Sequence, residues 1–174
     1  MTSRALSLIA LASCPESGSR PDAPLPPDVG ELQCGTSGAA VVSGSVGDET
    51  LGPVMHVFQA GLNGARNGIG IDDTGAGAGC SPSTTMGHFL ILLTCNSTLM
   101  TGVTELGGSI GTCPTEQSPG SATLLDTTNS TSVVAVSGTL MIDSIDAGCI
   151  KGSFITDWVN AQHLTGVFAA LACP

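Results

Sequence analysis

The chain has 174 residues, of which 24 are glycine, 10 are proline, seven are cysteine and none is tyrosine. That length suits one domain, and a hydrophobic fraction of 41% suits a packed core rather than a disordered chain. Four basic residues against 14 acidic ones, for a formal charge of −10, exclude phosphate-backbone recognition through clustered Lys and Arg, so nucleic acid is not an expected partner.

The first segment reads as an address. Arg4 precedes the apolar run Ala5 to Ala12, which ends at Ser13-Cys14. A cation, a short apolar stretch and small residues before a cut point are the parts of an export signal. Leu11-Ala12-Ser13-Cys14 resembles the lipobox of bacterial lipoprotein precursors. The resemblance implies that residues 1–13 are a removed signal peptide and that Cys14 carries a lipid. It also implies a mature protein held at the cell envelope, on the outer membrane or the cell surface. Residues 14–31 then form a tether. Pro15, Pro21, Pro24, Pro26 and Pro27 keep it extended, and Glu16, Asp22, Asp28 and Glu31 make it acidic. Residues 32–174 are left as the folded domain. Its apolar runs, such as Phe89 to Leu93, fall far short of the roughly 20 residues of a membrane-spanning helix.

Short strands are expected over Ala39–Val46, Val54–Ala60, Gly87–Cys95, Thr98–Leu106 and Ser132–Val136, where small, β-branched or continuous apolar residues cluster. Residues 61–86, with seven glycines and little apolar content, read as turns, as do the Thr-, Ser- and Pro-rich residues 113–130. One helix is permitted by the pattern, over Leu51–Arg66, because Val54, Phe58 and Leu62 have roughly helical spacing. Many short strands separated by Gly- and Pro-rich turns predict an all-β fold, an antiparallel β-sandwich or barrel stapled by disulfides.

The C-terminal segment is the most regular. Apolar residues fall on even positions: Leu140 and Ile142, then Ile150, Phe154 and Trp158, then Leu164, Phe168, Ala170 and Ala172. Period-two patterning predicts a three-strand meander over 138–146, 148–158 and 163–173. Closing its turns around Ala147 and Ala161 sets Asp143 opposite Lys151, Phe154 opposite Phe168 and Cys149 opposite Cys173, so a Cys149–Cys173 bridge is expected. Gly152-Ser153-Phe154, echoed by Gly166-Val167-Phe168 with Ala169 and Ala170 before Cys173, resembles the small secreted β-domains of bacterial lipoproteins. That resemblance implies an architecture and no activity. Cys34, Cys80, Cys95 and Cys113 complete an even set of six, read as disulfides in an exported domain, with their connectivity open. No two lie close enough for a zinc-type pair.

Motifs that carry chemistry are sparse. Gly107-Gly108-Ser109-Ile110-Gly111 matches the nucleophile-elbow pattern, yet Thr112-Cys113-Pro114 is a poor start for the helix such an elbow requires, so no catalytic role is assigned to Ser109. Asn96-Ser97-Thr98 and Asn129-Ser130-Thr131 match the glycosylation sequon and are read as chance matches in a bacterial lipoprotein. His56, His88 and His163 lie in different segments without a second ligand at helical or hairpin spacing. Asp72-Asp73 sits in the glycine-rich loop and Asp143 and Asp146 flank a turn; calcium could find carboxylate oxygens at Asp72-Asp73, and no other cofactor is expected. The reading is an exported, lipid-anchored envelope protein in a non-catalytic binding or structural role. Its alternatives are a secreted hydrolase whose Ser, His and Asp converge from a distance, and a calcium-dependent adhesion module.

Overall fold

The computed structural model describes residues 32–36, 39–62, 66–74, 79–80, 86–107 and 113–173. The export segment 1–13, Cys14, the rest of the tether and Ser109 lie outside the described residues. Among the described residues ten strands run in chain order: β1 Ala40–Gly44, β2 His56–Leu62, β3 Arg66–Asp72, β4 His88–Leu93, β5 Gly102–Leu106, β6 Ser121–Asp126, β7 Thr131–Val134, β8 Ser137–Asp146, β9 Cys149–Trp158 and β10 Gln162–Leu171. They build one sheet in the order β5-β8-β9-β10-β2-β3-β4-β6-β7, and β1 also pairs with β10. All pairings are antiparallel except that of β10 with β2, where Leu171 stands beside Phe58. At one corner the end strand β5 comes back to Gly120, the residue just before β6. There Gly107 N–H donates to Gly120 O at 2.9 Å and Gly120 N–H donates to Glu105 O at 2.7 Å. The fold is therefore all-β, as expected, in the form of a single curled, barrel-like sheet rather than two packed sheets. No helix among the described residues is long and apolar enough to cross a membrane.

The inside of the curl holds one hydrophobic cluster, with Ile69, Leu90, Leu92, Leu140 and Leu164 fully buried. In the meander of β8, β9 and β10 the even positions point inward, as the alternation requires: Leu140, Ile142, Ile150, Phe154, Trp158, Leu164 and Phe168 are all buried. Trp158 keeps its indole N–H satisfied inside by donating to Thr156 Oγ1 at 2.9 Å.

The turn-rich segments contain two strands that composition hides. β3 alternates Ile69 and Ile71, which face the core, with Gly68 and Gly70 on the other side. Gly70 lies beneath aromatic rings: a Cβ there would sit 2.9 Å from Phe58 and from Phe89, whose rings stack with centroids 5.8 Å apart. The glycines are thus a packing surface rather than a loop signal. In β6 small and polar residues (Ser121, Ala122 and Thr123) are buried with Leu124, so a strand of low hydrophobicity is built in between β4 and the end strand β7. The helix permitted over Leu51–Arg66 does not form. That region contributes β2, which joins β10 to β3, and sheet pairing overrides the local spacing.

The meander keeps its faces but not its full register. Leu140 opposes Phe154 and Ile142 opposes Gly152 as expected. A bulge between Ile142 and Ser144 then takes Asp143 out of line, so Ser144, not Asp143, stands opposite Lys151. Between β9 and β10 the register differs by two residues from the one expected. Trp158 pairs with Gln162 around the short 3-10 turn Val159–Ala161, in which Asn160 and Ala161 take φ of 65° and 57°. Phe154 consequently faces Gly166, and Phe168 faces Gly152. The physical reason is volume. Each phenyl ring lies over a strand position without a Cβ, whereas ring-on-ring pairing would leave both glycine positions uncovered. A shift of two preserves every inward face, which is why the alternation holds while the partners change.

All six cysteines pair, as Cys34–Cys149, Cys80–Cys173 and Cys95–Cys113. The expected Cys149–Cys173 bridge is not formed. In the observed register Cys149 stands opposite Leu171, and Cys173 falls beyond the end of β10. Cys149 is met instead by the segment ahead of β1, and Cys173 by the connection between β3 and β4.

Two outcomes follow from this packing. Peptide mapping of the unreduced protein is expected to recover the three pairs above. A Cys149–Cys173 peptide would refute the two-residue register. Gly166→Ala would place a methyl 2.6 Å from the Phe154 ring and 2.8 Å from Val41 O. It is expected to lower unfolding stability in urea by about 1–3 kcal/mol, the usual cost of overpacking.

Candidate functional site

Polar side chains converge at one end of the curl, where β3 ends, β4 begins and β6 ends. His88, the first residue of β4, is paired across the sheet with Asp126, the last of β6. Asp73 directly follows β3 and reaches back to β4. Its Oδ1 accepts the His88 backbone N–H at 2.7 Å, and its Oδ2 lies 3.0 Å from His88 Nδ1. Gly52 N–H also donates to Asp73 Oδ2, at 2.9 Å. Glu49 arrives from the β1–β2 connection, where Val46 and Glu49 exchange backbone hydrogen bonds of 2.9 and 3.1 Å around a tight turn. Buried Val46 anchors that turn in the core, and Glu49 Oε2 comes within 2.7 Å of His88 Nε2. Gly87 makes the close approach possible. At φ +154°, a Cβ on it would lie 2.3 Å from Thr74 Cγ2 and 2.7 Å from Asp73 Oδ1.

Both imidazole nitrogens of His88 therefore face carboxylates, and only the protonated ring donates from both. Partial burial acts to lower its pKa, but the hydrogen bonds to Asp73 and Glu49 and the charges of those two acids outweigh that and hold it above the ordinary 6.5. Asp126 is buried and well supplied with donors. The Asn129 side-chain amide donates to its Oδ2 at 2.6 Å, and the Thr128 and Asn129 backbone N–H groups donate to its Oδ1 at 2.8 and 3.1 Å. The Asn129 side-chain bond foremost holds the Asp126 carboxyl below its ordinary range. The ligand-type atoms of Glu49, His88 and Asp126 all lie within 4.8 Å of one another.

Asp72 and Asp73, read as a possible calcium pair, are engaged separately. Asp72 is buried, and its Oδ1 accepts from Thr74 N–H at 2.7 Å and Thr74 Oγ1 at 2.5 Å, closing a local turn. Only Asp73 joins the His88 cluster. The other two histidines serve elsewhere. His56 stacks on Phe58, with ring centroids 4.8 Å apart, and its Nε2 contacts Gly79 O at 2.9 Å. His163 Nδ1 contacts Asp157 Oδ1 at 2.8 Å, while Ser137 Oγ donates to Asp157 Oδ2 at 2.6 Å. In that chain the carboxylate stands between hydroxyl and imidazole, so Ser137 meets the carboxylate rather than the imidazole, unlike a Ser–His–Asp relay.

Sequence spacing could not reveal the His88 cluster. Glu49 comes from the β1–β2 connection, Asp73 from just after β3 and Asp126 from the end of β6, and the β3–β4 and β4–β6 pairings bring the last two beside His88. Neither protein-family profiles, nor curated proteins, nor solved structures match this chain.

The charge arrangement sets a pH dependence of stability. A histidine with a raised folded pKa adds stability in full below its unfolded value and loses it as pH rises through the folded one. In buffer containing a chelator, the urea stability of wild type relative to His88→Gln is therefore expected to be greatest below about pH 6.5 and to shrink above it. A difference that stays constant from about pH 6 to 9 would show that the ring is not charged in the fold. Asp126→Asn runs the other way: the contribution of Asp126 is complete at neutral pH and fades as acid protonates it.

Proposed function

We propose that the chain is an exported, lipid-anchored envelope or surface protein whose barrel serves a non-catalytic binding or structural role. The observation that carries this reading is the complete pairing of Cys34, Cys80, Cys95, Cys113, Cys149 and Cys173, with Cys14 alone ahead of the domain. Disulfides persist where the compartment is oxidising, which agrees with an export signal upstream. The seventh cysteine then has a separate use, as the lipid-bearing residue of the lipobox-like Leu11-Ala12-Ser13-Cys14. The tether supports the same reading, since an extended acidic segment stands a domain off a surface. The imidazole–carboxylate contacts of His88 and His163 are ones a hydrolase site would also use, but the hydroxyl described beside them, Ser137 Oγ, donates to Asp157 and not to an imidazole.

Intact mass of the protein from a membrane fraction tests the reading. The expected species begins at Cys14, carries a diacylglycerol-sized increment and lacks six hydrogens. Cys14→Ser is expected to abolish the increment and release the protein into the soluble fraction. An unmodified Met1 terminus with free thiols would overturn the proposal.

A further inference from the structure

We propose that Glu49, His88 and Asp126 bind one divalent ion of the zinc class at the rim of the barrel, with Asp73 orienting the imidazole. The proposal goes beyond the envelope role and is independent of lipid attachment, because every residue it uses belongs to the barrel.

The first support is the mixed donor set. One imidazole nitrogen and two carboxylate oxygens, all within 4.8 Å of one another, match what zinc and its neighbours accept. The imidazole argues against calcium, which takes oxygen ligands. The second support is the far side of the ring. A metal-bound histidine usually gives its other N–H to a carboxylate, which fixes the tautomer and ring orientation. His88 Nδ1 lies 3.0 Å from Asp73 Oδ2, and Asp73 is itself held by the backbone N–H groups of Gly52 and His88. Nε2 is thereby left to face Glu49 Oε2, and Asp126 stands opposite His88 in the neighbouring strand.

Distances show what would have to change. Zinc bonds to such ligands are about 2.0–2.2 Å, so adjacent tetrahedral ligands stand about 3.3 Å apart. His88 Nε2 and Glu49 Oε2 stand 2.7 Å apart, the spacing of a shared proton. An incoming ion takes the Nε2 lone pair, and the proton from that nitrogen leaves to solvent, one for each ion bound by the charged ring. Glu49, at 44% side-chain exposure on a turn, can move outward by the difference and gives a route from solvent. Asp126 is the fixed wall. Its Oδ2 accepts one hydrogen bond among the described residues, from Asn129, and a carboxylate oxygen has a second lone pair to offer. Three protein ligands leave a fourth position for water or for a group on a bound partner.

Calorimetric titration of zinc chloride into the full chain, stripped with EDTA and desalted, tests the site at about pH 6 in two buffers of different ionisation enthalpy. Saturation at one ion per chain with proton release is expected, together with at least tenfold weaker binding in His88→Ala and Glu49→Gln. Asp73→Asn should weaken binding by about 10–100-fold while leaving the stoichiometry at one. X-ray absorption should show an imidazole among light-atom ligands and no sulfur. Glu49 is on an exposed turn, so Glu49→Gln is expected to keep the far-UV spectrum of the wild type and separates binding from folding. Absence of saturable zinc binding, unchanged affinity in folded Glu49→Gln, sulfur in the ligand shell, or displacement of zinc by an equal concentration of calcium would each overturn the proposal.

Discussion

The constraint on which this structure depends is the fit of phenyl rings over strand positions that have no Cβ. Phe154 over Gly166, Phe168 over Gly152, and Phe58 with Phe89 over Gly70 are three instances of one device. An aromatic ring needs room on a sheet face, and glycine supplies it in the neighbouring strand at the cost of backbone entropy. Each such pair also fixes which residues oppose one another along the rest of its two strands. In β9 and β10 it decides that Cys149 ends opposite Leu171, and so which cysteines can meet.

The same logic reaches the polar rim. Pairing of β3 with β4 and of β4 with β6 fixes where Asp72 ends, where His88 begins and where Asp126 lies. The strand ends are thereby carried to one level, and three carboxylates gather around one imidazole. Such a gathering is unfavourable without a positive charge among them. A proton on the ring is one way to supply that charge, and the upward shift of the His88 pKa by its hydrogen bonds and charge contacts with Asp73 and Glu49, against the lowering by burial, expresses the same electrostatic demand.

How far the sequence could be read depended on whether the information was local. The inward face of the meander was legible, because alternation of Leu140, Ile142, Phe154, Trp158, Leu164 and Phe168 needs no knowledge of partners. So was the all-β class, from short apolar runs between turn residues. The register of β10 was not legible, since the cysteine and aromatic pairs both favoured a turn around Ala161, and the decisive term was the volume left by two glycines. β3 and β6 were missed because their apolar content is low: β3 borrows its outer covering from Phe58 and Phe89, and Ser121 and Thr123 of β6 are buried in the assembled sheet. Of the rim site, Asp73 was singled out for its acidity, while Glu49, His88 and Asp126 carry no mutual spacing that a linear reading detects.

The disulfides overlap in a way that gives the domain a property beyond added stability. The interval from Cys34 to Cys149 and the interval from Cys80 to Cys173 together cover the whole span from Cys34 to Cys173. Cutting the backbone once anywhere in that span leaves the two pieces joined through at least one sulfur–sulfur bond. A single nick by a protease therefore sheds no fragment. The covalent body survives one break in its thread, as a loop tied in two places does.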